Sequence, residues 1–171
     1  MRPLNQLIIT DCPLPALPQA LKGTAAVIAP NGALPAARPC TGCFCCWTKT
    51  PGRCIVKDGY QKTGEQLAGV QQLTLISRCV YGSLSPFVKG VLDRAISYVL
   101  PYFTVYKGEM HHKTRYQNRI VLSVYAYGPG VTGAEQETLK AIIAANAVNL
   151  HGRVGSVVFA NNSGEIFSLL N

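Results

Sequence analysis

Five of the seven cysteines of this 171-residue chain lie between positions 40 and 54, in Cys40-Thr-Gly-Cys43-Phe-Cys45-Cys46-Trp47-Thr-Lys-Thr-Pro-Gly-Arg-Cys54. Cys40, Cys43, Cys46 and Cys54 spell C-x2-C-x2-C-x7-C. Such compact spacing lets one loop wrap a metal centre, and Thr50-Pro51-Gly52 supplies the turn that returns the last thiol. Four thiolates without a nearby histidine suit an iron–sulfur cluster, [4Fe-4S] being one candidate, or an all-cysteine zinc site. Neighbouring Lys and Arg would lower the thiol pKa values. The same residues also read as small buried hydrophobes, and both readings stay open at this point. Cys45 is then a spare thiol, while Cys12 and Cys79 read as core or loop-floor cysteines. His111 and His112 follow Glu109 and Met110. Adjacent histidines point in different directions, so a solvated or dimer-contact loop is expected there rather than one shared metal. Asp93-Arg94 reads as a surface ion pair on a helix and Lys89 as part of its solvated face. There is no Ser/His/Asp hydrolase signature, P-loop or dinucleotide fingerprint.

Short apolar runs read as parallel strands covered on both faces: Leu7 to Thr10, Ala25 to Ala29, Leu73 to Ile76, Ile120 to Val124 and Gly155 to Ala160. Ser85-Pro86 places a cap and then a proline at a helix start. Phe87, Val88, Val91, Leu92, Ala95, Ile96 and Val99 continue at helical spacing until Pro101. Thr132 and Glu135 match a capping box, with Leu139, Ile142, Ile143 and Ala147 as the buried stripe. A weaker helix is expected over Gln61 to Val70. Pro13 to Lys22 holds at most two turns. Residues 98–116 form an excursion. The alternation predicts one α/β domain over 1–171, a three-layer sandwich with a five-stranded parallel sheet in the order 2-1-3-4-5. Its ligand crevice lies beyond the carboxyl ends of the strands, where the loops after Thr10, Ile76 and Val124 meet.

Composition narrows the function classes. With 48% hydrophobic and 14% charged residues the chain is not disordered. No apolar run is long enough for a membrane span. The N-terminus reads as a strand rather than an export signal, so a cytoplasmic protein is expected. Sixteen Lys+Arg against eight Asp+Glu give a formal charge of +8, which favours anionic partners. The basic residues are scattered, so no nucleic-acid stripe is read.

The run CTGCFCCWTKTPGRCIVKDG resembles the segment after strand two of flavodoxin-like NAD(P)H-dependent FMN reductases, a group that includes the iron–sulfur flavoproteins. SRCVYGSLSPFVKGVLDR resembles the family's flavin-ring loop and following helix, and SYVLPYFTVYKGEMHHKTRY continues the match. The resemblance implies a flavodoxin-like fold, FMN at the carboxyl ends of the strands, NAD(P)H as co-substrate, a small-molecule or protein electron partner and a homo-oligomer. It implies that Arg78, Cys79, Val80, Tyr81, Gly82, Ser83 and Leu84 pack on the isoalloxazine ring. Tyr125, Ala126, Tyr127, Gly128 and Gly130 match the third flavin loop. It also departs from the family. The hydroxyl-rich loop that cradles the FMN phosphate is replaced by Asp11-Cys12-Pro13-Leu14-Pro15-Ala16-Leu17-Pro18. Arg78 replaces a usual proline, and Asp58-Gly59 a usual acidic pair. Three functions follow as expectations: a flavin-dependent oxidoreductase; a flavodoxin-like subunit whose degenerate FMN site leaves it non-enzymatic and partner-binding; and a zinc-stabilised protein.

Overall fold

The computed structural model describes residues 5–30, 37–106 and 108–170. Five strands form a parallel sheet: β1 (Gln6–Thr10), β2 (Ala26–Ile28), β3 (Gln72–Val80), β7 (Val121–Tyr127) and β8 (Arg153–Ala160), in the order β2-β1-β3-β7-β8. This is the expected order. A two-residue strand β4 (Ser83–Leu84) folds back antiparallel on β3, and β5 (Val99–Tyr106) pairs β6 (Glu109–Thr114) in a separate hairpin.

The alternation of side chains along each strand sorts the core into two layers. Leu7, Ile9, Leu73, Leu75, Leu122 and Val124 lie in one cluster with Leu67 of α3 (Thr63–Ala68), Val88 and Val91 of α4 (Pro86–Asp93), and Leu139 and Ile143 of α5 (Gly133–Asn149). Ile8, Ile76, Tyr125 and Tyr127 lie on the other face, with Leu21 of α1 (Gln19–Thr24) and Ile166 of α6 (Ser163–Leu169). Helix α2 (Cys45–Thr48) is a single turn inside the cysteine loop. The expected capping box is formed: Thr132 accepts from the Glu135 N–H, and Glu135 accepts from the Thr132 N–H.

Three expectations are corrected. The helix beginning at Ser85 does not run on to Val99. The α-helix ends at Asp93, a 3-10 turn covers Arg94–Tyr98, and Val99 already belongs to β5. The cause is Arg94, whose side chain is buried in an ion pair that a solvated helix face could not provide. The expected Asp93–Arg94 pair therefore does not exist: Asp93 bonds Lys89 one turn earlier at 2.6 Å, and Arg94 pairs Asp58. Pro101 does not stop a helix but sits in β5 where the register shifts between Val99 and Phe103, a site that asks for no ladder N–H. Among the described residues no helix is long and apolar enough to cross a membrane.

Candidate functional site

The strand order reverses between β1 and β3, so the crevice of an open parallel sheet belongs at their carboxyl ends. Here that position is closed by the chain itself. Asp11, directly after β1, donates its N–H to the Ile76 carbonyl at 3.3 Å. Its carboxylate accepts the Arg78 N–H at 2.9 Å on Oδ2 and the Tyr127 hydroxyl at 3.0 Å on Oδ1. The buried Cys12 thiol donates to Tyr127 Oη at 3.5 Å. Burial and the neighbouring Cys12 and Asp11 push the Tyr127 phenol far above its usual range, so it remains a proton-bearing donor.

One strand over, β3 extends past the sheet and turns back through Tyr81-Gly82, both at positive φ (50° and 70°). Two consecutive left-handed residues between paired Val80 and Ser83 make the tight hairpin turn that matches strand twist. Tyr81 stands 93% exposed at its tip. Gly82 lies against α5: a Cβ there would meet Thr138 Cβ at 2.9 Å and the Glu135 carbonyl at 3.1 Å. Between this hairpin and the loop after β7 lies a cavity of about 330 Å³, lined by Arg78, Cys79, Val80, Tyr81, Gly128, Pro129, Gly130, Val131 and Glu135. Of the expected ring contacts, Arg78, Cys79, Val80, Tyr81 and Gly128 are thus brought together. Gly82 and Ser83 shape the turn, and Leu84 is buried in the core. Tyr125 and Tyr127 are directed to the opposite face of the sheet, against the α1–α6 layer. Sequence reasoning missed Glu135 and Val131 as walls and the Asp11–Tyr127 bond. Asp11 carried a signal, being the acidic residue at the end of β1, but its partner is 116 residues away.

The four spaced cysteines, Cys40, Cys43, Cys46 and Cys54, all line a second cavity of about 400 Å³, together with Phe44, Trp47, Ile55, Ile96 and Arg94. Arg94 is fully buried. It pairs with Asp58, donates Nη2–H to the Val56 carbonyl at 3.0 Å and presents Nε–H to Cys54 Sγ at 3.4 Å. Asp58 also accepts the Arg38 and Tyr60 N–H groups. Burial raises the Asp58 pKa, but the Arg94 bond and those two N–H groups outweigh it and hold the carboxyl below its ordinary value. The thiols differ. The Cys45 N–H and thiol donate to Cys43 and lower its pKa, whereas burial, with the charges of the other cysteines, pushes Cys46 up to about 11. In the folded protein at pH 8, iodoacetamide is expected to alkylate exposed Cys43 at least roughly a hundredfold faster than Cys46. Peptide mass spectrometry over time checks the order. Among the described residues no three His, Cys, Asp or Glu side chains stand where they could hold a metal ion.

The excursion is the β5–β6 hairpin, and its histidines are not a solvated loop. His111 is buried beside Asn149 Oδ1 at 3.1 Å, and His112 bonds the Leu100 carbonyl at 2.7 Å. His112 also packs, tilted, against Trp47 and Phe103, at 4.9 and 4.7 Å between centroids. The two rings do point apart, as successive strand residues must.

No family model matches the sequence, and no curated protein matches it. A solved structure does. The general stress protein 14 of Treponema denticola, in complex with FMN, superposes over 97% of this chain and 91% of its own, with a TM-score of 0.51 and 13% identity. The fold is flavodoxin-like. A candidate quinone reductase of Klebsiella pneumoniae also matches, over 96% of this chain and 80% of its own, at a TM-score of 0.48 and 16% identity.

Proposed function

We propose that this flavodoxin-like chain is a flavin-dependent oxidoreductase whose flavin ring docks between the Arg78–Leu84 hairpin and the Gly128–Val131 loop, with a reduced nicotinamide as electron donor. The observation that supports it is the 330 Å³ cavity. Five residues expected on sequence grounds to meet the ring line it, at the carboxyl ends of two adjacent parallel strands. The Treponema neighbour that shares the fold holds FMN. A bound flavin supplies hydride acceptance and single-electron release. The chain's residues provide position. The tight turn at Tyr81-Gly82 fixes one wall, and Gly128 lets the backbone approach from the other. No acid–base group is poised there. Glu135 is kept below its ordinary value by its Thr132 bonds, so it stays an ionised helix cap, and burial raises the Cys79 thiol. The phosphate of FMN does not fit the end of β1, where a carboxylate and three prolines replace the cradle, and no step passes through it.

Within the same proposal, Cys40, Cys43, Cys46 and Cys54 are the residues that would hold an iron–sulfur cluster. The four cysteines line one cavity and Arg94 offers an N–H to the Cys54 sulfur, but no three of them stand where they could hold a metal ion, so the loop would have to close around such a cluster. Such a group would serve as a one-electron carrier. Anaerobic reconstitution with ferrous iron and sulfide is expected to give brown absorption that the Cys46→Ala variant lacks. We further propose self-association through the β5–β6 hairpin, a reading supported by the exposure of Tyr102, Phe103, Val105 and Met110.

Lumiflavin, a ring without a tail, tests the flavin reading: its fluorescence is expected to be quenched with saturation at roughly micromolar concentrations. No quenching up to its solubility would leave the second reading, a non-enzymatic subunit, which the closure by Asp11 favours.

A further inference from the structure

The geometry points to Asp11 as a residue that selects the class of flavin: it admits an uncharged, unphosphorylated flavin such as riboflavin and rejects FMN. This rests on the flavin reading above and adds to it a specificity that runs against the phosphate-bearing cofactor.

In an open parallel sheet the loop after the first strand is where a ligand's anionic tail is received, by free backbone N–H groups and a helix start. Little of this remains here. The Asp11, Cys12, Ala16 and Leu17 N–H groups are all bonded within the chain, to Ile76, Thr10, Pro13 and Leu14. Pro13, Pro15 and Pro18 have no N–H at all. That leaves at most Leu14 to offer one. Helix α1 starts only at Gln19, with Pro18 as its uncapped entry. In place of the tail stands a carboxylate held through both oxygens. One oxygen accepts the Arg78 N–H at 2.9 Å, the other the Tyr127 hydroxyl at 3.0 Å. These two donors are the groups an anionic oxygen would use, and the chain supplies the anion itself. A second anion brought to the same place meets Asp11 at short range with both donors already taken, and the repulsion is sizeable near a partly buried group. A ribityl chain ending in a hydroxyl carries no charge and meets no such cost. Two opposing charges lie near: Arg78, whose exposed side chain lines the ring cavity, and Lys22, whose ammonium bonds the Pro15 carbonyl at 3.3 Å; either could attract a phosphate from the solvent side.

The experiment compares the dissociation constants of riboflavin and FMN for the full chain at low salt, by fluorescence quenching. Riboflavin is expected to bind at least roughly tenfold more tightly. Raising the ionic strength should narrow the gap by strengthening FMN alone, since salt screens the repulsion. Asp11→Asn, which keeps the size and one acceptor but removes the charge, should close most of the gap by strengthening FMN relative to riboflavin. The salt series on the unaltered chain gives the same answer should that variant fold poorly. FMN equal to or tighter than riboflavin overturns the selection, and a preference for FMN lost in Arg78→Ala would show that Arg78 grips the tail instead. Binding of lumiflavin separates the two levels: if lumiflavin, riboflavin and FMN all fail, the flavin reading falls and the selection with it. If lumiflavin binds and FMN is preferred, only the selection falls.

Discussion

Asp58→Asn is expected to lower the unfolding free energy by about 3–5 kcal/mol, because it leaves the buried Arg94 guanidinium without a counter-charge. For a chain of this length that corresponds to a fall in Tm of about 6–20 °C. Urea and thermal unfolding measure it. The contrast that isolates the cause is Asp58→Asn combined with Arg94→Met. With both charges gone the pair's desolvation cost goes too, and the double variant is expected to recover most of the loss. A double variant as unstable as the single one would mean that Arg94 matters for its bonds to Val56 and Cys54 rather than for its charge. The pH dependence follows from the same site. The Asp58 pKa is lowered from its ordinary 3.8, so its contribution is complete above that value and is lost as the pH falls through the depressed folded one. Asp58→Asn should therefore flatten the acid limb of the stability curve below about pH 4. By comparison, the exposed Arg53–Glu65 and Lys89–Asp93 pairs are screened by solvent, and their removal should pass nearly unnoticed.

The second large effect is expected at Gly82. An alanine there must hold a left-handed φ of 70° and place its Cβ 2.9 Å from Thr138 Cβ and 3.1 Å from a backbone oxygen of α5. The conformational cost and the overlap together come to roughly 2–4 kcal/mol. The hairpin relieves it only by lifting off α5, which opens the cavity lined by Arg78–Tyr81. Lumiflavin quenching should then be lost while far-UV circular dichroism stays native. Gly130→Ala is the control. It shares the positive φ, at 72°, but nothing lies within 4 Å of its Cβ, so only the backbone cost of about 1–2 kcal/mol remains. If both variants keep their lumiflavin binding, the hairpin is not a wall of the site.

The sheet was legible because it is buried on both faces. Runs such as Leu7-Ile8-Ile9 have no other stable place, and the chain order of five such runs with helices between them leaves few topologies. The Thr132–Glu135 box marked its helix to the residue. The C-terminal helix α6 went unread although Asn162 and Glu165 carry the same local signal, the Asn162 side chain accepting the Glu165 N–H at 3.1 Å. The break at Arg94 was not legible. The apolar spacing continues smoothly past it, and the reason for stopping is a carboxylate 36 positions earlier. The β5–β6 hairpin was hidden for a related cause: Pro101 argues against a strand unless a register shift excuses it, and that shift exists only in the paired state. For the candidate site, the ring loops could be read because each is a contiguous string. The closure by Asp11 could not, because it joins residues from the ends of β1, β3 and β7.

Trp47 is the only tryptophan of the chain. It is a wall of the thiol cavity, donates its indole N–H to the Val99 carbonyl at the root of the aromatic hairpin, and touches both Phe44 and His112. Two regions far apart in sequence therefore share a single intrinsic fluorophore. Metal uptake by the cysteines and association through the hairpin would both register in its emission, with no label attached.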